Sequence, residues 1–230
     1  MESPLSLVAG GTGLVGSHVI KVLSKKSGTQ IILARSFESE IPQNAELQII
    51  NFDSLSSNKV QLKSGIDHVY LCLGKKLSTH ELGYMQHNAR ESFKLVDFDY
   101  SLTIAKLAYD SGARSIALVS AVGAQEGSFN YYFHIKGKLE NEIRKIGYED
   151  ICFARPGHLL GARKDFRGYE IPILESGLKI AAPFMQGPLM NFRQIEAERV
   201  AESMVMNLLN KTRGETYLYY KDFLRTDTFE

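Results

Sequence analysis

Cysteine is scarce: only Cys72 and Cys152 occur in 230 residues, so no disulfide framework can hold the fold together. Each sits in a strand-like apolar run and reads as a buried thiol, which suits a reducing cytoplasm. Their spacing alone does not favour a Cys72–Cys152 bridge or redox pair. Neither charge sign is in excess, with 27 Lys and Arg against 26 Asp and Glu. That removes the electrostatic case for nucleic acid or an anionic membrane as partner. No apolar run approaches a membrane span. No leader of basic, apolar and small residues opens the chain, so a cytoplasmic protein is expected. The six histidines are scattered without metal-ligand spacing, and no metal site is expected. Repeats and low-complexity tracts are missing as well. What remains is a balanced chain long enough to bury a full core in one domain.

Within it, one stretch organises the rest. The apolar run Leu5–Ala9 breaks into Gly10, Gly11, Gly13 and Gly16, and an apolar-periodic segment with Val15, Val19, Ile20 and Leu23 follows at once. That is a strand, a glycine turn and a helix N-terminus. Glycines let a backbone turn tightly against a phosphate, while free N–H groups and the helix dipole supply positive field. The spacing fits Gly-x-x-Gly-x-x-Gly from Gly10, the first residue after the run, and also Gly-x-Gly-x-x-Gly from Gly11.

Further strands are expected at Gln30–Ala34, Leu47–Ile50, His68–Leu73, Ser115–Ser120 and Asp150–Arg155. A long helix should run from about His87 to Tyr109 and another from about Tyr131 to Ile146. The first has apolar residues on more than one face, so two partners must cover it: a homodimer, a protein partner or a C-terminal lobe would each serve. Apolar strands alternating with helices predict an α/β fold, a doubly wound parallel sheet with ligands beyond the carboxyl ends of its strands. The Gly loop, Arg35, Asp53, Gly74, Ser120 and Arg155-Pro156 all fall at those ends. After Gly157 the strand–helix rhythm stops, although Glu196–Leu209 has helical and Thr216–Tyr220 strand character. We expect one domain, with a dinucleotide-binding core over 1–156 and a small substrate-side lobe over 157–230.

Two constellations carry chemistry. At the end of the second strand, where a carboxylate would hold a ribose 2′-hydroxyl and repel a 2′-phosphate, stands Ala34-Arg35-Ser36. A guanidinium there grips a 2′-phosphate, which favours NADP(H) over NAD(H), unless Arg35 is merely a solvated strand end. Asp53 could accept from the adenine amino group. The second constellation is Ser120 followed by Tyr132-x-x-x-Lys136. Residues four apart share a helix face, and an ammonium favours the phenolate, as proton transfer to a carbonyl requires. Ser120 is expected to hold the substrate oxygen. Tyr217-x-x-x-Lys221 repeats the spacing without a serine-ended strand before it and serves as a chance control. Arg163, Lys164 and Arg167 could meet an acidic substrate group or be a solvated loop. His134 points away from the shared face, and His158 could edge the pocket.

Gly10-Gly-Thr-Gly-Leu-Val-Gly16, Leu71-Cys-Leu-Gly74, Asp97-Phe-Asp-Tyr100, Leu118-Val-Ser-Ala121, Tyr132-x-x-x-Lys136 and Arg155-Pro-Gly157 together resemble an atypical or extended short-chain dehydrogenase/reductase. Within that superfamily the likeness is to the Tat-interacting-protein type of NADPH-binding oxidoreductase and its bacterial relatives, over about residues 5–165. The resemblance implies that Gly10, Thr12, Gly13, Leu14, Val15 and Gly16 wrap the pyrophosphate and that Arg35 and Ser36 take the 2′-phosphate end. It further implies that Leu73 and Gly74 line the ribose, that Lys136 holds the nicotinamide ribose and that Pro156 and Gly157 border the nicotinamide. Ser120 and Tyr132 would address the substrate. Ala121 departs from the pattern by offering no second hydroxyl beside Ser120. The implied activity is NADP(H)-dependent oxidation or reduction of a small carbonyl or hydroxyl compound. A dinucleotide-binding regulator with little turnover stays open, as does, less favoured, a sugar-nucleotide epimerase or dehydratase.

Overall fold

A computed structural model describes residues 3–57, 60–161, 185–210 and 213–225. Its strands are β1 (Leu5–Ala9), β2 (Thr29–Ala34), β3 (Ala45–Ile49), β4 (His68–Leu71), β5 (Ser115–Val119), β6 (Asp150–Ala154), β7 (Leu159–Leu160), β8 (Ile195–Glu196) and β9 (Gly214–Leu218). Seven form one sheet in the order β3-β2-β1-β4-β5-β6-β9, every neighbour parallel. Side chains alternate between faces, so each strand feeds two cores. Leu7, Ile31, Val69, Ile116 and Phe153 pack on one side. Val8, Ile32, Tyr70, Ala117 and Cys152 pack on the other.

The second face is covered by α1 (Leu14–Ser24) and α6 (Ala197–Leu209), which lie against each other. α2 (Thr79–Gly83) is a short turn of helix after β4. The first face takes α3 (His87–Lys94), α4 (Ser101–Asp110) and α5 (Tyr131–Arg144). Expected as a plain helix, 87–109 instead contains a π-helical segment, Leu95–Tyr100, between α3 and α4. The wide turn adds a residue and shifts the register, so Phe93, Phe98, Tyr100 and Ile104 all become buried although no single 3.6-residue stripe joins them. The other side of α4 meets α5 and the 3₁₀ turn Phe52–Ser57.

The expected division at residue 156 needs correction. α6 crosses over to β9, which pairs parallel with β6, so the strand–helix rhythm resumes and these elements belong to the sheet. Val200, Ala201, Met204 and Leu208 are the reason: they are the apolar stripe that seals the second core. Between β6 and α6 the described part is the pair β7–β8, the 3₁₀ turn Gly187–Phe192 and their links. α7 (Tyr220–Phe223) closes the described chain and buries Phe223.

Cys72 and Cys152 are both free. Burial pushes the Cys72 thiol up to about 12 and the Cys152 thiol higher still, so neither is nucleophilic in the native protein. A disulfide-exchange reagent at about pH 8 should leave Cys152 unmodified in the folded protein and titrate it in urea; prompt native labelling of Cys152 would contradict its burial. Burial likewise raises the Tyr70 phenol far above its ordinary 10.0, aided by Cys152 and Cys72. The folded state keeps Cys152 and Tyr70 neutral while the unfolded chain ionises them. Their stabilisation is complete below the unfolded values, 9.0 and 10.0, and is lost as pH rises through these toward the folded ones. The urea midpoint should therefore fall between about pH 8.5 and 10.5.

Candidate cofactor cleft and active site

At the switch point of the sheet, between the ends of β1 and β4, only glycine fits. Gly10 has φ +88°, and a Cβ there would stand 2.6 Å from the Cys72 carbonyl carbon. A Cβ on Gly16 would stand 2.2 Å from the Gly10 carbonyl oxygen, and Gly13 N–H donates to that oxygen at 2.9 Å. α1 starts with Gly13 at its N-cap, no side-chain cap and no acid in its first turn. A pyrophosphate suits this end: the positive dipole is unopposed and no side chain bars the approach. Thr12 is exposed at the rim, whereas Val15 is buried in the second core and Leu14 packs against it, so these two can act on a phosphate through their backbone.

Arg35 and Ser36 follow β2 on the surface, with the Arg35 guanidinium 6.0 Å from the centre of the Phe52 ring. Asp53, next to Phe52, accepts a hydrogen bond from the Tyr100 hydroxyl. That carboxylate therefore ties the 3₁₀ turn to the π segment, a task the sequence did not reveal. Leu73 and Gly74 continue from β4 along the same cleft.

Across the cleft, Asn130 caps α5 by accepting from Tyr132 N and Phe133 N. Four residues apart on this helix, Tyr132 and Lys136 come together, the Lys136 Nζ 6.0 Å from the centre of the phenol ring. Lys136 is buried and pairs with the equally buried Asp97 at 2.9 Å. Desolvation alone would lower its pKa; Asp97, then Tyr132, outweigh burial and hold it above the ordinary value. The other Asp97 oxygen accepts Lys75 N–H at 2.7 Å. Asp97 thus fastens the loop after β4 to α5 from within the π segment. Quoted in the sequence only for resemblance, it is the site residue that spacing arguments missed, because its partners lie 22 and 39 positions away. The signal was an aspartate amid apolar helical residues.

Ser120 is not where its expected role needs it. Its hydroxyl is buried and donates at 2.5 Å to Glu140, one turn beyond Lys136 on α5. Glu140 is clamped by Arg155 (Nε to Oε1, 2.9 Å), and Arg155 reaches the Tyr219 hydroxyl at 2.9 Å. The buried Glu140 carboxylate is matched by the half-buried Arg155 guanidinium, and Ser120 supplies a further proton. The Ser120 proton is thereby committed to Glu140, and Arg155 to the same network. Ala121 brings no hydroxyl to replace it. The Pro156 carbonyl accepts from Val122 N, and Gly157 lies so close to the 191–193 backbone that a Cβ would stand 2.8 Å from the Arg193 carbonyl oxygen. Tyr217 lies on β9 beside Arg144 while Lys221 lies on α7, so the control pair shares no element. The His134 ring bonds the Glu126 carbonyl. Arg163, Lys164 and Arg167 lie outside the described residues.

The profile of the NAD dependent epimerase/dehydratase family matches residues 6–170. Protein FMP52, mitochondrial, from Candida albicans is 27% identical over 210 residues, 89% of each chain. Protein HTATIP2 from Rattus norvegicus is 26% identical over 172 residues, 73% of this chain and 67% of that protein. A solved short chain dehydrogenase/reductase family protein superposes with a TM-score of 0.64 at 17% identity, covering 95% of this chain and 97% of that one. The cytoplasmic expectation is corrected here, since the FMP52 relatives are named mitochondrial. The two thiols gave no real guide to compartment, because Cys152 is buried and Cys72 partly so, which protects them anywhere.

The Asp97–Lys136 pair makes a stability prediction. Asp97→Ala leaves a buried ammonium without its counter-charge and should cost about 3 kcal/mol in urea unfolding. Adding Lys136→Met should recover a large part of the loss; two additive losses would deny the coupling.

Proposed function

The chain belongs to the NAD dependent epimerase/dehydratase family, and on that footing we propose that it is an NADP(H)-dependent oxidoreductase of the short-chain dehydrogenase/reductase type. Its substrate is a small carbonyl or hydroxyl compound. The observation that carries this reading is the juxtaposition of Tyr132 and Lys136 on α5, with Asp97 holding Lys136 at 2.9 Å. The cofactor supplies or accepts hydride when bound. Tyr132 moves the proton at the substrate oxygen, and Lys136 favours its anionic form while reaching toward the nicotinamide ribose. Asp97 offsets part of that charge, so the tyrosine faces an ion pair rather than a lone cation. Gly10, Thr12, Gly13 and Gly16 receive the pyrophosphate, Arg35 and Ser36 the 2′-phosphate, and Leu73, Gly74, Pro156 and Gly157 border the ribose and nicotinamide. Ser120 acts through Glu140, as a brace for α5. The mitochondrial names of the yeast relatives support the same location for this chain.

A second reading has a specific observation in its favour. With Ser120 bonded to Glu140 and Ala121 beside it, the expected substrate-holding hydroxyl is engaged elsewhere. The same fold would then be an NADP(H)-binding regulatory or interaction protein with little turnover.

Fluorescence titration with NADPH and NADH separates these readings from a merely structural glycine turn. Arg35→Ala should weaken NADPH by about tenfold or more, the value of a charge-assisted phosphate contact, and leave NADH within about twofold. Turnover of a carbonyl panel that vanishes in Tyr132→Phe establishes the oxidoreductase. Binding without turnover establishes the regulator, and absence of binding removes both.

A further inference from the structure

The π segment Leu95–Tyr100 is anchored at two points that reach different parts of the sheet. Asp97, its third residue, pairs with Lys136 on α5 and accepts the Lys75 N–H. Tyr100, its last, extends to the 3₁₀ turn after β3, where its hydroxyl donates to Asp53. Both side chains are buried, Asp97 at 2% exposure and Tyr100 at 8%. Among the described residues, the other side-chain ties of this segment stay within its own helical run. They are Lys94 to Asp99, Ser101 Oγ to the Val96 carbonyl and Thr103 Oγ1 to the Asp99 carbonyl. A π turn is rare and short, so it persists where tertiary contacts hold it. The hydrogen bonds that do so here are those of Asp97 and Tyr100.

The Tyr100 anchor is stiff on both sides. Asp53 is fixed on its turn by its own N–H, which donates to Asn51 Oδ1 at 3.0 Å. Phe52, buried next to it, meets the Tyr100 ring edge-on with 5.5 Å between centres. Burial, and then the hydrogen bond to Asp53, push the Tyr100 phenol up to about 12, so it stays a donor at neutral pH. Asp97 stands three positions before Tyr100, too short a span of packed helix for one to move without the other. The position of Asp97 matters because a buried ion pair repays its desolvation only when its geometry is close.

We propose that Tyr100 is a positioning residue for Lys136: by bonding Asp53 it fixes the π turn in the register that sets the Asp97 carboxylate on the Lys136 ammonium. For the task of Lys136 this rests on the oxidoreductase reading; the test needs neither cofactor nor turnover. Its readout is the coupling between Asp97 and Lys136, from urea unfolding of wild type, Asp97→Asn, Lys136→Met and the double variant. A general loss of stability lowers all four alike and cancels from that coupling, so a merely structural Tyr100 would leave it unmoved.

The same cycle built on Tyr100→Phe, which keeps the ring and removes the hydroxyl, should show the coupling reduced by about half or more. Asp53→Ala should do the same by removing the acceptor, whereas Asp53→Asn, with an amide oxygen in its place, should keep most of it. Trimethylamine N-oxide is added to every sample alike, so that the weakest variants start folded. Coupling that is absent from wild type, or that survives Tyr100→Phe or Asp53→Ala, overturns the proposal. Equal loss in Asp53→Asn and Asp53→Ala assigns the effect to the charge of Asp53 and overturns it too. Coupling that depends on Tyr100, in a protein that consumes NADPH with no carbonyl, upholds the positioning and removes the oxidoreductase reading.

Discussion

The whole architecture turns on one steric constraint: the backbone of Gly10 crosses the end of β4 with no room for a Cβ. Because Gly10 and Gly16 carry no side chain, the turn, the end of β4 and the start of α1 pack directly on one another and α1 stays tight against the sheet. The order of strands reverses at this point, which opens a crevice there rather than elsewhere on the molecule. Every described residue with a proposed chemical role sits around that crevice. Arg35 lies on the β2 side, Tyr132 and Lys136 on the β5 side, and the loop after β4 between them.

Around the crevice, buried charge has been divided into two compartments. Asp97 and Lys136 face the cleft and connect three elements through one carboxylate. Glu140 and Arg155 face the interior and engage Ser120 and Tyr219. Both pairs lie on or against α5, one helical turn apart, so the helix carries the charge of the proposed chemistry on one level and structural charge on the next. Burying two ions is expensive unless each is matched, so the matching ties the position of α5 to the ends of β5 and β6. Ser120 belongs to the structural level, although its place at a strand end suggested the reactive one.

The sequence made the parallel sheet, the glycine turn and the Tyr132–Lys136 face legible, because all three depend on local spacing: periods of two and four, and glycines at fixed intervals. It concealed whatever depended on direction or on distant partners. Residue spacing cannot say which way the Ser120 hydroxyl turns, since Glu140 lies 20 positions later. Asp97 was hidden for the same reason, and the π segment because its added residue blurs the helical period. α6 and β9 were seen as elements but misassigned. Pro172, Pro183 and Pro188 interrupt the sequence pattern before it resumes.

That last pairing has a consequence for biosynthesis. The second apolar face of the sheet, with Val8, Ile32, Ala117 and Cys152, is covered by α1 and by α6, and α6 ends at Leu209. A ribosome releasing the chain from its N-terminus therefore exposes a nearly complete six-stranded sheet with one side half bare until its last segment emerges. Such a nascent chain offers chaperones an apolar surface from the emergence of β6 until that of α6, and a truncation before residue 197 removes the helix that covers it.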